Sequence, residues 1–103
     1  MLNKERRAGD RHDCNGDYFF SPDSRNQKYS CLLKNVSVTG ACILTEFPLK
    51  NDDQITLHVC LGKDIELKSS VVWKKNDLYG LLFELETPEA FDNISYLINN
   101  RPV

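Results

Sequence analysis

The chain has 103 residues, 41% hydrophobic and 27% charged, which suits one small globular domain and leaves no room for two. Thirteen Lys and Arg against fifteen Asp and Glu give a formal net charge of −2. That balance argues against DNA as a partner, because coating a duplex draws on clustered cations. No stretch approaches the roughly 20 apolar residues of a membrane span, nor the apolar core of a signal peptide. The expectation is a cytoplasmic chain without membrane insertion. Charge placement matters more than the total: residues 1–11 carry Lys4, Arg6, Arg7 and Arg11 against Glu5 and Asp10, a local +2, while the remaining 92 residues sum to −4.

In chain order, residues 1–13 are polar, charged and aperiodic, and read as a flexible arginine-rich arm. Residues 14–103 read as the folded domain. Tyr18-Phe19-Phe20 forms a short first strand before the Ser21-Pro22-Asp23-Ser24 turn. Tyr29 to Val36 and Ala41 to Thr45 are β-rich runs joined across Ser37-Val38-Thr39-Gly40. Alternation of apolar and polar residues then runs from Ile55 to Cys60, turns at Gly62-Lys63-Asp64, and resumes through Ile65, Leu67, Val71 and Trp73. Lys74 to Asp77 ends that strand, and Tyr79, Leu81, Phe83 and Leu85 mark a sixth. Six short antiparallel strands left flat would expose two edges, so the class is all-β and the architecture a closed six-stranded antiparallel barrel. Thr87-Pro88-Glu89 supplies a cap, a first-turn proline and an acid at the positive end of a helix dipole. A C-terminal α-helix follows, with Phe91, Ile94, Leu97 and Ile98 as its apolar stripe.

Cys14, Cys31, Cys42 and Cys60 contain no Cys-x-x-Cys pair, so they are expected to be reduced core thiols rather than metal ligands. His58 reads as an exposed strand residue, and no Ser/His/Asp pair or phosphate loop stands out, so no enzyme and no cofactor are expected. Trp73 and Tyr79 could stack a base, but hairpin packing is the duty expected of them. Two segments carry more. Arg6, Arg7 and Arg11 place three guanidiniums within six residues. Such forks bind phosphate and the O6/N7 edge of guanine bidentately, and a solvated basic tail is the plain alternative. Asn35-Val36-Ser37-Val38-Thr39-Gly40 is a hairpin turn that also offers an amide, two hydroxyls and an open backbone.

Arg7-x-x-x-Arg11 followed by Asn35-x-Ser37-x-x-Gly40 resembles the PilZ family. Gly40-Ala41-Cys42-Ile43, Val71-Val72-Trp73 and Tyr79-Gly80-Leu81-Leu82-Phe83 resemble its later strands. The resemblance implies a six-stranded barrel that binds cyclic di-GMP. It makes Arg7 and Arg11 the arm's grip on guanine edges and phosphates, with Asn35, Ser37 and Gly40 as the barrel side of the site. In this motif Asn35 would face guanine's donors, the Ser37 hydroxyl would reach polar groups of the ligand, and Gly40 would permit close approach. Arg6, directly before the pair, is the kind of extra arginine that accompanies binding of two stacked ligand molecules, so a 2:1 complex is expected. Many relatives carry aspartate at the position of Asn35, which has only one acceptor oxygen. Arm rearrangement would then be read by a separate protein effector. The alternative is a PilZ-like adaptor that binds proteins and no nucleotide.

Overall fold

Period-two alternation begins earlier than the Tyr18–Phe20 run suggests. In the computed structural model, which describes residues 11–103, strand β1 covers His12–Pro22. Cys14, Tyr18 and Phe20 point into the barrel, while Asp13, Asn15, Asp17 and Phe19 point out. The early half escapes a sequence reading because Cys14 is its only inward apolar side chain before Tyr18, while a bulge between Asp13 and Gly16 shifts the pairing with β2. Gly16 also contributes no apolar side chain: the Tyr18 ring occupies the space a Cβ would need.

The remaining elements are β2 (Tyr29–Val36), β3 (Gly40–Leu44), β4 (Gln54–Cys60), β5 (Asp64–Lys75), β6 (Leu78–Phe83) and helix α1 (Pro88–Asn100). Around the barrel they run β1-β2-β3-β6-β5-β4, all antiparallel, and β1 closes the sheet by pairing with both β2 and β4. Among the described strands, closure leaves no unpaired edge to recruit another chain. Phe20, Leu33, Ile43, Leu57, Ile65 and Tyr79 fill the interior. The turns are sharp where the sequence carries residues that tolerate positive φ: Gly62 (φ 84) joins β4 to β5 and Asn76 (φ 56) joins β5 to β6.

Helix α1 starts as its sequence dictates. Thr87 is the N-cap, its hydroxyl accepting a hydrogen bond from the Ala90 amide at 3.2 Å, and Pro88 opens the first turn. Its buried contribution is narrower than the four-residue stripe. Ile94 and Leu97 enter the core, Ile98 is half-buried, and Phe91 faces out, because the helix packs on β5 rather than inside the barrel. The Tyr96 hydroxyl donates to the Leu61 carbonyl at 2.7 Å, tying the helix to the β4–β5 turn. Beyond the helix, Arg101 Nε donates to the Asp13 carbonyl at 2.8 Å and the Asn15 amide to the Pro102 carbonyl at 3.0 Å.

Only two of the four cysteines are core thiols. Cys14 and Cys31 lie in the core, and burial pushes the Cys31 thiol up to about 12. Cys42 is buried on the outer face of β3, and Cys60 is exposed. All four are free thiols. Among the described residues, no helix is long and apolar enough to cross a membrane.

Candidate functional site

The β2–β3 turn is built from its own side chains. The Ser37 amide donates to the Gly40 carbonyl at 2.8 Å, and the Thr39 amide donates to Ser37 Oγ at 3.3 Å. Ser37 Oγ lies 3.4 Å from both the Gly40 carbonyl oxygen and Thr39 Oγ1. The serine is buried, so its hydroxyl serves the turn. The Phe83 amide donates to the Thr39 carbonyl at 2.8 Å and pins the turn to the end of β6. Gly40 has a packing reason to be glycine: a Cβ there would overlap the carbonyl oxygen of Leu81 on the neighbouring strand.

From this turn a row of outward-facing residues crosses five strands. Asp13 pairs with Asn35, Asn35 with Cys42, Cys42 with Gly80, and Gly80 with Trp73. The Trp73 indole lies over Gly80, in the space a Cβ would fill, and keeps 40% of its surface exposed. Without the glycine the ring could not lie flat on the sheet. At the other end, Arg11 Nη1 donates to Asn35 Oδ1 at 3.1 Å. Burial raises the pKa of the Cys42 thiol between them, while the positive charges of Arg11 and Lys34 pull it down. The row therefore presents a guanidinium fork, an amide oxygen with a second lone pair, a small floor and a flat aromatic platform.

Of the residues singled out from sequence, Arg11 and Asn35 are brought into direct contact, and Ser37 and Gly40 form the adjoining turn. Arg6 and Arg7 lie outside the described residues. Trp73 joins the row although hairpin packing alone could have explained it. The signal was available: a tight turn at Asn76-Asp77 places position 73 opposite Gly80. His58 differs from its reading as exposed. Its side chain is 18% exposed, Nε2 lies 2.8 Å from Ser21 Oγ, and Nδ1 lies 3.6 Å from Glu66 Oε2, which links β1, β4 and β5. Burial and then the charge of Lys28 hold its pKa down, with Glu66 opposing them. Among the described residues, no group of three His, Cys, Asp or Glu side chains could hold a metal ion.

The sequence model of the PilZ domain matches residues 5–99, nearly the whole chain. The chain belongs to the PilZ domain family. Its barrel is similar to the PilZ domain of CeSA from a cellulose-synthesizing bacterium, with a TM-score of 0.79 at 12% identity, covering 87% of this chain and 95% of that one. It is also similar to the PilZ domain of YcgR from Escherichia coli, solved with c-di-GMP, with a TM-score of 0.71 at 14% identity, covering 91% and 89%. At such identities the likeness carries the PilZ fold alone. No curated protein matches the chain in sequence.

Proposed function

We propose that this PilZ domain is a receptor for cyclic di-GMP that signals to a separate protein. The observation that carries the reading is the Arg11–Asn35 contact, made at one end of an outer-face row that finishes on Trp73. A cyclic dinucleotide offers two phosphates, two guanine acceptor edges and two flat rings. The Arg11 fork suits phosphate or the O6/N7 edge, and the free lone pair of Asn35 Oδ1 suits guanine N1–H or N2–H. Trp73 supplies a face on which a base stacks, a contact worth about 1–3 kcal/mol. Ser37 and Gly40 hold the turn that sets the position of Asn35. Arg6 and Arg7 add guanidiniums from the arm, enough for two nucleotides per chain. The YcgR domain that shares this fold was solved with c-di-GMP, which supports the ligand class.

Isothermal titration of the chain with cyclic di-GMP tests this, with GTP and cyclic GMP as controls. Saturation is expected at two nucleotides per chain, with the controls far weaker. A charge-assisted hydrogen bond contributes roughly 1.5–3 kcal/mol, so Arg7→Ala and Arg11→Ala should each weaken binding about ten- to hundredfold. Unchanged affinity in either variant would remove that arginine from the site. No heat at all with cyclic di-GMP would replace the receptor with a nucleotide-free adaptor.

A further inference from the structure

A second feature of the outer face lies along the same strands, beyond the Asn35 row. Asp17, Leu32, Leu44 and Leu78 are register partners across β1, β2, β3 and β6. This row is two to four residues from the first, or about 7–13 Å at the usual rise per strand residue. Beside it Phe19 projects outward with 51% of its surface exposed, and Leu44 is exposed as well. Together with Phe47 they floor a shallow groove of about 790 Å³.

The groove is preformed and its lining charges are acidic, with one arginine seated against its aromatic floor. Phe47 stacks on Tyr29 with centroids 4.0 Å apart and meets Phe20 edge-on at 5.9 Å. Thr45 fixes the segment leading to it: its hydroxyl donates to the Ser30 carbonyl at 2.9 Å and accepts from the Phe47 amide at 3.2 Å. Three exposed carboxylates line the groove, Asp17 on β1, Glu46 after β3 and Asp77 in the β5–β6 turn, and among the described residues its lining includes no Lys or Arg. The aromatic floor already holds one cation, since the Arg25 guanidinium lies 5.7 Å from the centroid of the Phe47 ring.

We infer that this groove docks a cationic segment of a partner protein, one in which Lys or Arg alternates with large apolar side chains. Apolar side chains of the segment cover Phe19, Leu32 and Leu44, and its cations meet the three carboxylates. A polar rim around a desolvated apolar centre is the usual anatomy of a protein interface. Charge complementarity selects this occupant over the folded domain of a second copy, whose residues 12–103 sum to −4. A segment seated here would lie beside the Asn35 row, where it would sense whether that row is covered.

The test titrates the full chain, without nucleotide, with short synthetic peptides that alternate Lys with Leu and Phe. Parallel peptides carry Glu for Lys, or Ser for the apolar residues. Binding of the Lys peptide alone is expected. Amide shifts in NMR spectra should centre on Asp17–Phe19, Ser30–Leu32 and Thr45–Phe47, with affinity falling as salt rises. Combining Asp17→Asn, Glu46→Gln and Asp77→Asn should weaken binding about tenfold or more, while thermal unfolding and cyclic di-GMP titration remain those of the unmodified chain. The Thr45 amide bonds the backbone carbonyl of Asp77, so Asp77→Asn alone serves as a second variant with that contact retained. Equal binding of the Glu peptide, shifts centred on Asn35–Gly40, or no binding would each overturn the inference. So would a concentration-dependent dimer that shifts the groove amides, or groove shifts produced by Lys4→Gln, Arg6→Gln and Arg7→Gln in the absence of peptide. Because the peptide titration omits nucleotide, its failure leaves the receptor reading standing.

Discussion

At position 40 a methyl group would meet the Leu81 carbonyl, and backbone in the middle of a closed barrel has little room to yield. Gly40→Ala is therefore expected to lower stability by about 1–3 kcal/mol, read as a lower urea midpoint at an unchanged slope. If stability held and only nucleotide affinity fell, the glycine would instead belong to ligand approach. Asn35 makes the opposite case, a residue whose side chain is open to improvement. Its single oxygen serves Arg11 and would also have to serve guanine. A carboxylate would offer one oxygen to each, and hydrogen bonds with an ionised partner are about twice as strong as neutral ones. Asn35→Asp should tighten cyclic di-GMP binding several-fold in a calorimetric titration. An unchanged or weaker affinity would mean that the amide's Nδ2–H donors, rather than its oxygen, face the ligand.

Among the elements, β1, β4 and β5 share the Ser21–His58–Glu66 bridge, and its titration should appear in the stability of the sheet. Burial, helped by Lys28, holds the folded-state pKa of His58 below the ordinary 6.5. The unfolded chain therefore takes up a proton at a higher pH than the native chain does. Stability from this source is complete above pH 6.5 and is lost as pH falls through the folded pKa. Urea unfolding across that range should show a decline that His58→Gln flattens, and an unaltered decline in the variant would place its origin elsewhere. Elements such as α1 and the two tight turns were legible because their signals are local: Thr87-Pro88, Gly62 and Asn76 fix dihedrals and caps where they stand. The length of β1 was not, since the inward positions of its early half are Cys14 and Gly16, which give the alternation no large apolar residue to show it. The site divides along the same line. Arg11, Asn35, Ser37 and Gly40 could be picked out as a motif, but the Asn35-to-Trp73 row depends on β3 lying beside β6 rather than β4. That crossover is a property of the closed sheet and leaves no mark on neighbouring residues.

For the molecule as a whole, β1 is the junction through which its parts communicate. It closes the barrel through β2 and β4, and its leading end follows directly on Arg11. Its bulge also receives the tail after α1, where Arg101 Nε donates to the Asp13 carbonyl and Nη1 to the Ile98 carbonyl at 2.6 Å. One guanidinium thus staples the end of the helix to the strand that carries the edge of the candidate site. These bonds are partly open to solvent, so their net worth falls toward the lower end of the usual range, about 1 kcal/mol. A small closed barrel unfolds as one cooperative unit, and a loss of that size lowers Tm by about 4–8 °C in a domain of this length. Arg101→Ala should show that drop together with faster hydrogen exchange at the Asn15 amide, whose acceptor is the Pro102 carbonyl. Lower Tm without faster exchange at Asn15 would mean that the arginine supports only the last turn of the helix, through Ile98. Faster exchange at an unchanged Tm would make the tail a local latch on the bulge, opening independently of the barrel it closes against.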